Sequence, residues 1–162
     1  MAAMALLGLT AAPAGAGTLA APADKPILTI SGDISETNAG DTAQFDRAML
    51  EQLGLAKIET TTPWYQGPMI FEGVPLVKLM EAVGAKGQRV VAYALNDYKT
   101  EIPMEDFATY HAILALKRNG EYMPIRDKGP LFVVYPYDSD PALRSQVFYG
   151  RSAWQVARLV VK

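Results

Sequence analysis

Four aromatic residues stand among turn formers and polar side chains: Trp64 and Tyr65 after Pro63, Tyr98 after Asn96 and Asp97, and Trp154 near the C-terminus. Such rings stack on a flat, uncharged heterocycle, while Asn96, Asp97 and Arg126 offer hydrogen bonds to its edge. A single carboxylate accepts two adjacent donors from that edge at once. Trp64 lies in a Pro-flanked, Gly-containing loop, where exposed aromatics serve recognition. Duller roles stand beside these. Trp154 reads equally as a core anchor, Asp97 as the end of its strand in an Asx-type turn, and Arg126, Asp127 and Lys128 as a solvated loop.

Other chemistries have less to draw on. The 162 residues include no cysteine, which removes disulfides, thiolate metal sites and a cysteine nucleophile, though it does not fix the compartment. His111 is the only histidine; beside Tyr110, at the head of an apolar run, it reads as structural. Ser31, Ser35, Ser139, Ser145 and Ser152 have no neighbouring histidine pattern, and neither a nucleophile elbow nor a glycine-rich phosphate loop is present. Glu59, Glu72 and Asp97 could form a carboxylate pair for acid–base work only if folding sets their separation. A net charge of −2 with 15 scattered Lys and Arg gives no footprint for nucleic acid or anionic lipid.

The elements that must position these residues read as one α+β domain, strand-rich with mixed sheets and two short helices. Residues 27–34 alternate as a strand. Asp41-Thr42 can cap a helix through Phe45, Met49, Leu50 and Leu53 that Gly54 stops. Residues 58–62 suit a strand ending at Pro63. Phe71-Glu72-Gly73-Val74-Pro75-Leu76 opens a second helix, with Leu76, Leu79, Met80 and Val83 on its buried face and Gly84 after it. Residues 90–95 and 112–117 read as strands, residues 104–107 as a short turn or helix, and Asn119-Gly120 as a hairpin turn. Leu131-Phe132-Val133-Val134-Tyr135 suits a strand covered on both faces, and residues 154–161 a final strand.

Several of these blocks, in order, resemble the molybdopterin-binding domain of the sulfite oxidase family from about Ile27 to Val161. They are Phe71 to Leu76 with Leu79 and Gly84; Ala94-Leu95-Asn96-Asp97-Tyr98 with Ile102-Pro103; Leu114-Ala115 with Asn119-Gly120-Glu121; and Asp127-Lys128-Gly129-Pro130-Leu131 with Tyr135-Pro136. Tyr98 lies where such enzymes place an active-site tyrosine. The resemblance implies a pterin pocket from Trp64, Tyr65, Asn96, Asp97, Tyr98, Arg126, Lys128, Gly129, Arg151, Ser152 and Trp154. The departures are as telling. Where catalytic members carry the molybdenum-ligating cysteine, this chain has Glu59-Thr60-Thr61-Thr62-Pro63-Trp64, and a threonine hydroxyl cannot replace a soft thiolate. Phe132 and Ala153 stand where relatives commonly have an arginine and a lysine; each lost phosphate contact costs about 1.5–3 kcal/mol.

The N-terminal run Met4 to Ala12, with Ala14-Gly15-Ala16 and Leu19-Ala20-Ala21 behind it, reads as a secretory signal peptide over residues 1–23, though it lacks the usual Lys or Arg; a disordered leader is the alternative. Residues 24–162 then form the domain, periplasmic or secreted. Three functions follow as expectations. The first is a non-catalytic protein that binds a reduced, non-phosphorylated pterin and reports to a membrane-bound cyclic-dinucleotide enzyme or sensor kinase, without nucleic acid and without inserting into the membrane. The second is an oxidoreductase holding molybdenum cofactor without a cysteine ligand, and the third a ligand-free docking module.

Overall fold

The computed structural model describes residues 19–162. Two sheets face each other across the core. The first runs β2 (Ala43–Phe45), β1 (Leu28–Gly32), β10 (Val156–Val161), β5 (Arg89–Ala94) and β6 (Lys99–Pro103). Only β1 and β10 pair in parallel; its other neighbours are antiparallel. The second contains β3 (Ala56–Thr60), β4 (Met69–Pro75), β7 (Ile113–Arg118) and β8 (Glu121–Tyr122), with β9 (Phe132–Val134) also paired to β7. Four short helices connect them: α1 (Arg47–Gln52), α2 (Leu76–Ala82), α3 (Glu105–Thr109) and α4 (Gln146–Arg151).

The strand-rich α+β class is therefore observed, with more short helices than the apolar spacing predicted. The core draws on Leu28, Ile30, Val90, Ala92, Val156 and Leu159 from one sheet and on Phe71, Val74, Leu114, Leu116, Phe132 and Val134 from the other. Every residue of β9 is buried, which is why residues 131–135 read as an unbroken apolar run rather than an alternation. Gly73 marks a bulge where β4 crosses β7: a Cβ there would lie 2.1 Å from the Leu114 carbonyl oxygen, so only glycine lets the strands approach.

Two helix starts differ from the sequence expectation. The first helix begins not at Asp41-Thr42 but after Asp46, whose side chain accepts the Met49 N–H at 2.8 Å. Phe45 belongs to β2, in register with Leu28; its spacing to Met49 matches a helix by coincidence, because three residues are too few to display a strand period. Phe71 to Pro75 likewise forms β4 rather than a helical lead-in, and α2 starts at Leu76, where Pro75 sets the entry angle. The rest of α2 is as read, with Leu76, Leu79, Met80 and Val83 buried.

The signal-peptide expectation falls mostly on residues 1–18, outside the described residues. The segment that follows lies against the domain: Asn38 Nδ2 donates to the Ala20 carbonyl at 2.9 Å, and the N–H groups of Ala23 and Asp24 donate to Asp46 Oδ2 at 2.9 and 3.0 Å. No helix among the described residues is long and apolar enough to cross a membrane.

Candidate functional site: an aromatic cleft between two loops and a short helix

One cleft gathers most of the aromatic residues singled out above. It encloses about 300 Å³ and is lined by Trp64, Asn96, Tyr98, Gln146, Tyr149, Gly150, Ser152 and Trp154. That volume lies at the small end of ligand pockets, which span roughly 300–1,000 Å³, and suits a compact heterocycle.

Trp64 is placed by the threonine run. Thr62 Oγ1 accepts the Trp64 and Tyr65 N–H groups at 3.3 and 3.1 Å, a side-chain turn that swings both rings off the end of β3. Thr60 and Thr61 bind the loop after β9: Thr60 Oγ1 accepts the Asp138 N–H at 3.1 Å, and Thr61 donates its N–H and hydroxyl to Asp138 at 2.7 and 2.6 Å. All three hydroxyls are thus engaged in holding the chain. The Trp64 ring meets Phe132, Tyr149 and Trp154 edge-on, with centroids 5.5, 5.6 and 5.6 Å apart. Such perpendicular contacts fix an indole through its quadrupole.

Phe132 therefore props Trp64 from beneath and is fully buried; Ala153 is buried beside it, its carbonyl accepting the Val133 N–H at 2.8 Å. Both positions at which the resemblance implied cations are core positions here.

The opposite wall is the turn from β5 to β6. Asn96 Oδ1 accepts the Tyr98 N–H at 3.2 Å, so the Asx turn is made by Asn96 and not by Asp97. Asp97 takes the left-handed conformation at φ 67° and lines a separate depression with Tyr93, Leu95, Lys99 and Arg158. No carboxylate lines the cleft. The edge of a ligand is met by the amides of Asn96 and Gln146, each offering a donor and an acceptor. Tyr98 donates its hydroxyl proton to the Gly150 carbonyl at 2.7 Å, closing the cleft at α4.

The other expected residues divide. Ser152 lines the cleft but its hydroxyl is buried, donating to the Phe148 carbonyl at 2.8 Å and sharing a 2.5 Å hydrogen bond with Tyr137. Arg151 turns inward, 2.9 Å from Asp106 Oδ2, which also accepts the Tyr135 hydroxyl at 2.7 Å. That bond and burial raise the Tyr135 phenol far above its usual value, burial contributing most. Arg126 is exposed and outside the cleft. Gly129 is buried for packing: a Cβ would lie 1.8 Å from the Met123 carbonyl oxygen.

Lys128 and Tyr65 are not among the lining residues, although Lys128 reaches the edge of the cleft over its indoles. Lys128 Nζ sits 3.7 Å from the centre of the Trp154 ring, 5.9 Å from that of Trp64 and 5.7 Å from that of Tyr65. Partial burial lowers its pKa, and nearby Arg118 pushes the same way against the opposing pull of Asp127. Among the described residues no carboxylate lies within ion-pairing distance of it. Tyr65 donates its hydroxyl to Asp127 at 2.9 Å, and burial together with that bond pushes the phenol up to about 12. Arg118 stacks on Tyr65 at 4.2 Å and brings Nη1 to 2.6 Å from Asp127 Oδ2, close enough for an ion pair but poorly aligned as a hydrogen bond.

Sequence reading missed Gln146, Tyr149 and Arg118. The first two lie on α4, whose Val147, Phe148, Tyr149 and Gly150 hide helical character; the one available cue was Ser145 at its N-terminus. Glu59, Glu72 and Asp97 do not line the cleft, so no carboxylate pair is assembled there. His111 is an exposed turn residue at φ 57°. No group of three or more His, Asp or Glu side chains gathers to hold a metal ion among the described residues.

The two facing sheets, the loop after β3 and the short helices together define a sulfite oxidase-like molybdopterin-binding fold. Residues 42–138 match the oxidoreductase molybdopterin binding domain, and the chain belongs to that family. Among solved structures the chain is similar to the sulfane dehydrogenase SoxCD from Paracoccus pantotrophus, at 19% identity and a TM-score of 0.60; the likeness covers 83% of this chain and 37% of that one. No curated protein matches it.

The donor set around the cleft lacks what a thiolate-held molybdenum needs. Rings and amides suit the pterin, but the chain has no cysteine, and the threonine hydroxyls near the cleft are committed to backbone and to Asp138. A molybdenum ion held by a protein thiolate does not fit this donor set.

Proposed function

We propose that this protein binds a pterin ring in the aromatic cleft as a reduced, non-phosphorylated ligand, without performing redox chemistry on it. The observation that carries this reading is the pairing of Trp64 and Trp154, centroids 5.6 Å apart, with the amides of Asn96 and Gln146 in one small cleft. A pterin offers a flat face to the indoles, and its amino-oxo edge needs a donor beside an acceptor, which an amide supplies. Asp97, the carboxylate first expected in this role, is replaced by Asn96.

In this reading the protein is exported by the N-terminal leader and works in the periplasm. It passes the ligand's presence to a membrane-bound signalling protein, either a cyclic-dinucleotide enzyme or a sensor kinase. An open cleft speaks against a ligand-free docking module, for which a collapsed pocket is expected.

A second reading keeps molybdenum cofactor bound through its organic part alone, with the protein an oxidoreductase. Lys128 favours it, since an ammonium without an ion-pair partner at the cleft rim could meet a phosphate. Purified protein separates the two. A co-purifying blue-fluorescent pterin without molybdenum supports the receptor, whereas stoichiometric molybdenum overturns it. Absence of both, with no thermal shift on adding tetrahydropterins, removes the ligand readings together.

A further inference from the structure

The two loops that wall the cleft also carry a second surface. In the turn from β5 to β6, Asn96 and Tyr98 line the cleft while Leu95 and Asp97 line depressions elsewhere. In the loop before β9, Lys128 reaches the cleft rim while Ile125 lines one of those depressions with Lys25, Ile27, Pro130 and Ala157. Leu95 and Ala157 line both depressions, which therefore run together as one groove.

This groove is apolar and basic at once. Leu95 and Ile125 are 52% and 57% exposed, and they stand in one groove with Ile27, Pro130 and Ala157 instead of scattered singly. Lys25, Lys99 and Arg158 border it against a single carboxylate, Asp97, in a chain whose net charge is −2. None of the three cations has an ion-pair partner among the described residues, although Arg158 stacks on Tyr93 at 4.2 Å. Basic clusters that bind anionic membranes typically gather about four to eight Lys or Arg, so three cations flanking two apolar anchors fit a peptide better.

We propose that this groove docks an extended acidic segment of a partner protein, with apolar side chains on Leu95 and Ile125 and carboxylates facing Lys25, Lys99 and Arg158. Gln155 joins groove to cleft. It follows Trp154 directly, its side chain donates to the Ile125 carbonyl at 2.6 Å, its N–H donates to the Lys128 carbonyl at 3.0 Å, and its own carbonyl accepts the Leu95 N–H at 2.9 Å. A ligand that shifts Trp154 or Lys128 thereby shifts both apolar anchors. This coupling rests on the pterin reading, whereas the docking itself does not.

The test uses the protein without ligand and a fluorescein-labelled heptapeptide alternating glutamate with leucine, followed by anisotropy. The peptide should bind, more weakly as salt rises, and the same pattern with lysine for glutamate should not. Arg158→Glu and Ile125→Asp, both at exposed positions outside the cleft, should each weaken binding about tenfold or more. Pterin affinity, read by fluorescence quenching, should stay unchanged in both. No peptide binding, binding indifferent to both substitutions, or co-sedimentation with equimolar phosphatidylserine–phosphatidylcholine vesicles in place of peptide binding would overturn the groove. A protein that binds the peptide but no pterin would keep the groove and overturn the cleft assignment.

Discussion

Tyr98 and Gly150 meet across the mouth of the cleft, the tyrosine hydroxyl donating to the glycine carbonyl at 2.7 Å, so the turn from β5 to β6 is tied to α4. Tyr98→Phe removes one partly exposed hydrogen bond, worth about 0.5–1.5 kcal/mol, and frees both walls. We expect the melting temperature to fall slightly and the pterin dissociation rate to rise severalfold in stopped-flow fluorescence. An unchanged rate would mean that this contact does not hold the cleft closed.

Trp64 has two roles that one truncation exposes. Its ring packs against Phe132, Tyr137, Tyr149 and Trp154, so Trp64→Ala should cost up to about 3 kcal/mol in urea unfolding. Loss of a stacking face should cost a further 1–3 kcal/mol of pterin binding, roughly 5- to 150-fold. Trp64→Phe keeps most of the packing, and calorimetric titration of that variant isolates the binding loss.

The placement of Asn96 inside and Asp97 outside the cleft gives a contrast between neighbours. Asn96→Ala should weaken pterin binding about threefold to tenfold, the value of one net hydrogen bond, while Asp97→Ala leaves it unaltered. A larger effect at Asp97 would assign ligand recognition to the groove and not the cleft.

Asp106 accepts hydrogen bonds from Tyr135 and Arg151 inside the protein, locking α3 to the end of α4. Asp106→Ala strips the partly buried Arg151 of its counter-charge and the buried Tyr135 hydroxyl of its acceptor, and should cost about 3 kcal/mol in chemical denaturation. Adding Arg151→Met to that variant should recover much of the loss, and no recovery would show that the pair is not the stabilising unit.

Acid stability should depend on Asp46. Backbone N–H groups of Asp24 and Met49 hold its carboxylate below its ordinary value of 3.8, outweighing the effect of burial. The folded chain then prefers the charged form more than the unfolded chain does. Its contribution is complete above about pH 4 and is lost as pH falls through the lowered folded value. Melting temperature against pH should drop in that range for the native protein and more shallowly for Asp46→Asn, and parallel curves would contradict this.

Much of the framework was readable along the chain. Residues 27–34, 90–95, 112–117 and 131–135 carry strand patterns strong enough to survive folding, because two buried sheet faces demand them. β2 and β8, of three and two residues, are too short to display a period at all. Trp64 and Tyr98 were legible as candidate cleft residues from their company of Pro, Gly, Asn and Asp, whereas Trp154 read equally as a core anchor until folding placed all three in one cleft. α4 was not, since its sequence resembles a strand and only its packing over Tyr135 and Tyr137 makes it a helix.

The amino-acid sequence by itself determined the domain class, the rings available for stacking and the lack of any thiolate, because these follow from residue type, order and period alone. Only the tertiary structure decided which side of a turn each residue faces. Asn96 and Asp97 are adjacent in the chain, yet the positive φ of Asp97 sends one to the cleft and the other to the basic groove. Arg151 and Lys128, similar in charge, end with different tasks for the same reason. A buried carboxylate captures one and an indole face holds the other, and both partners come from distant parts of the chain or across a loop.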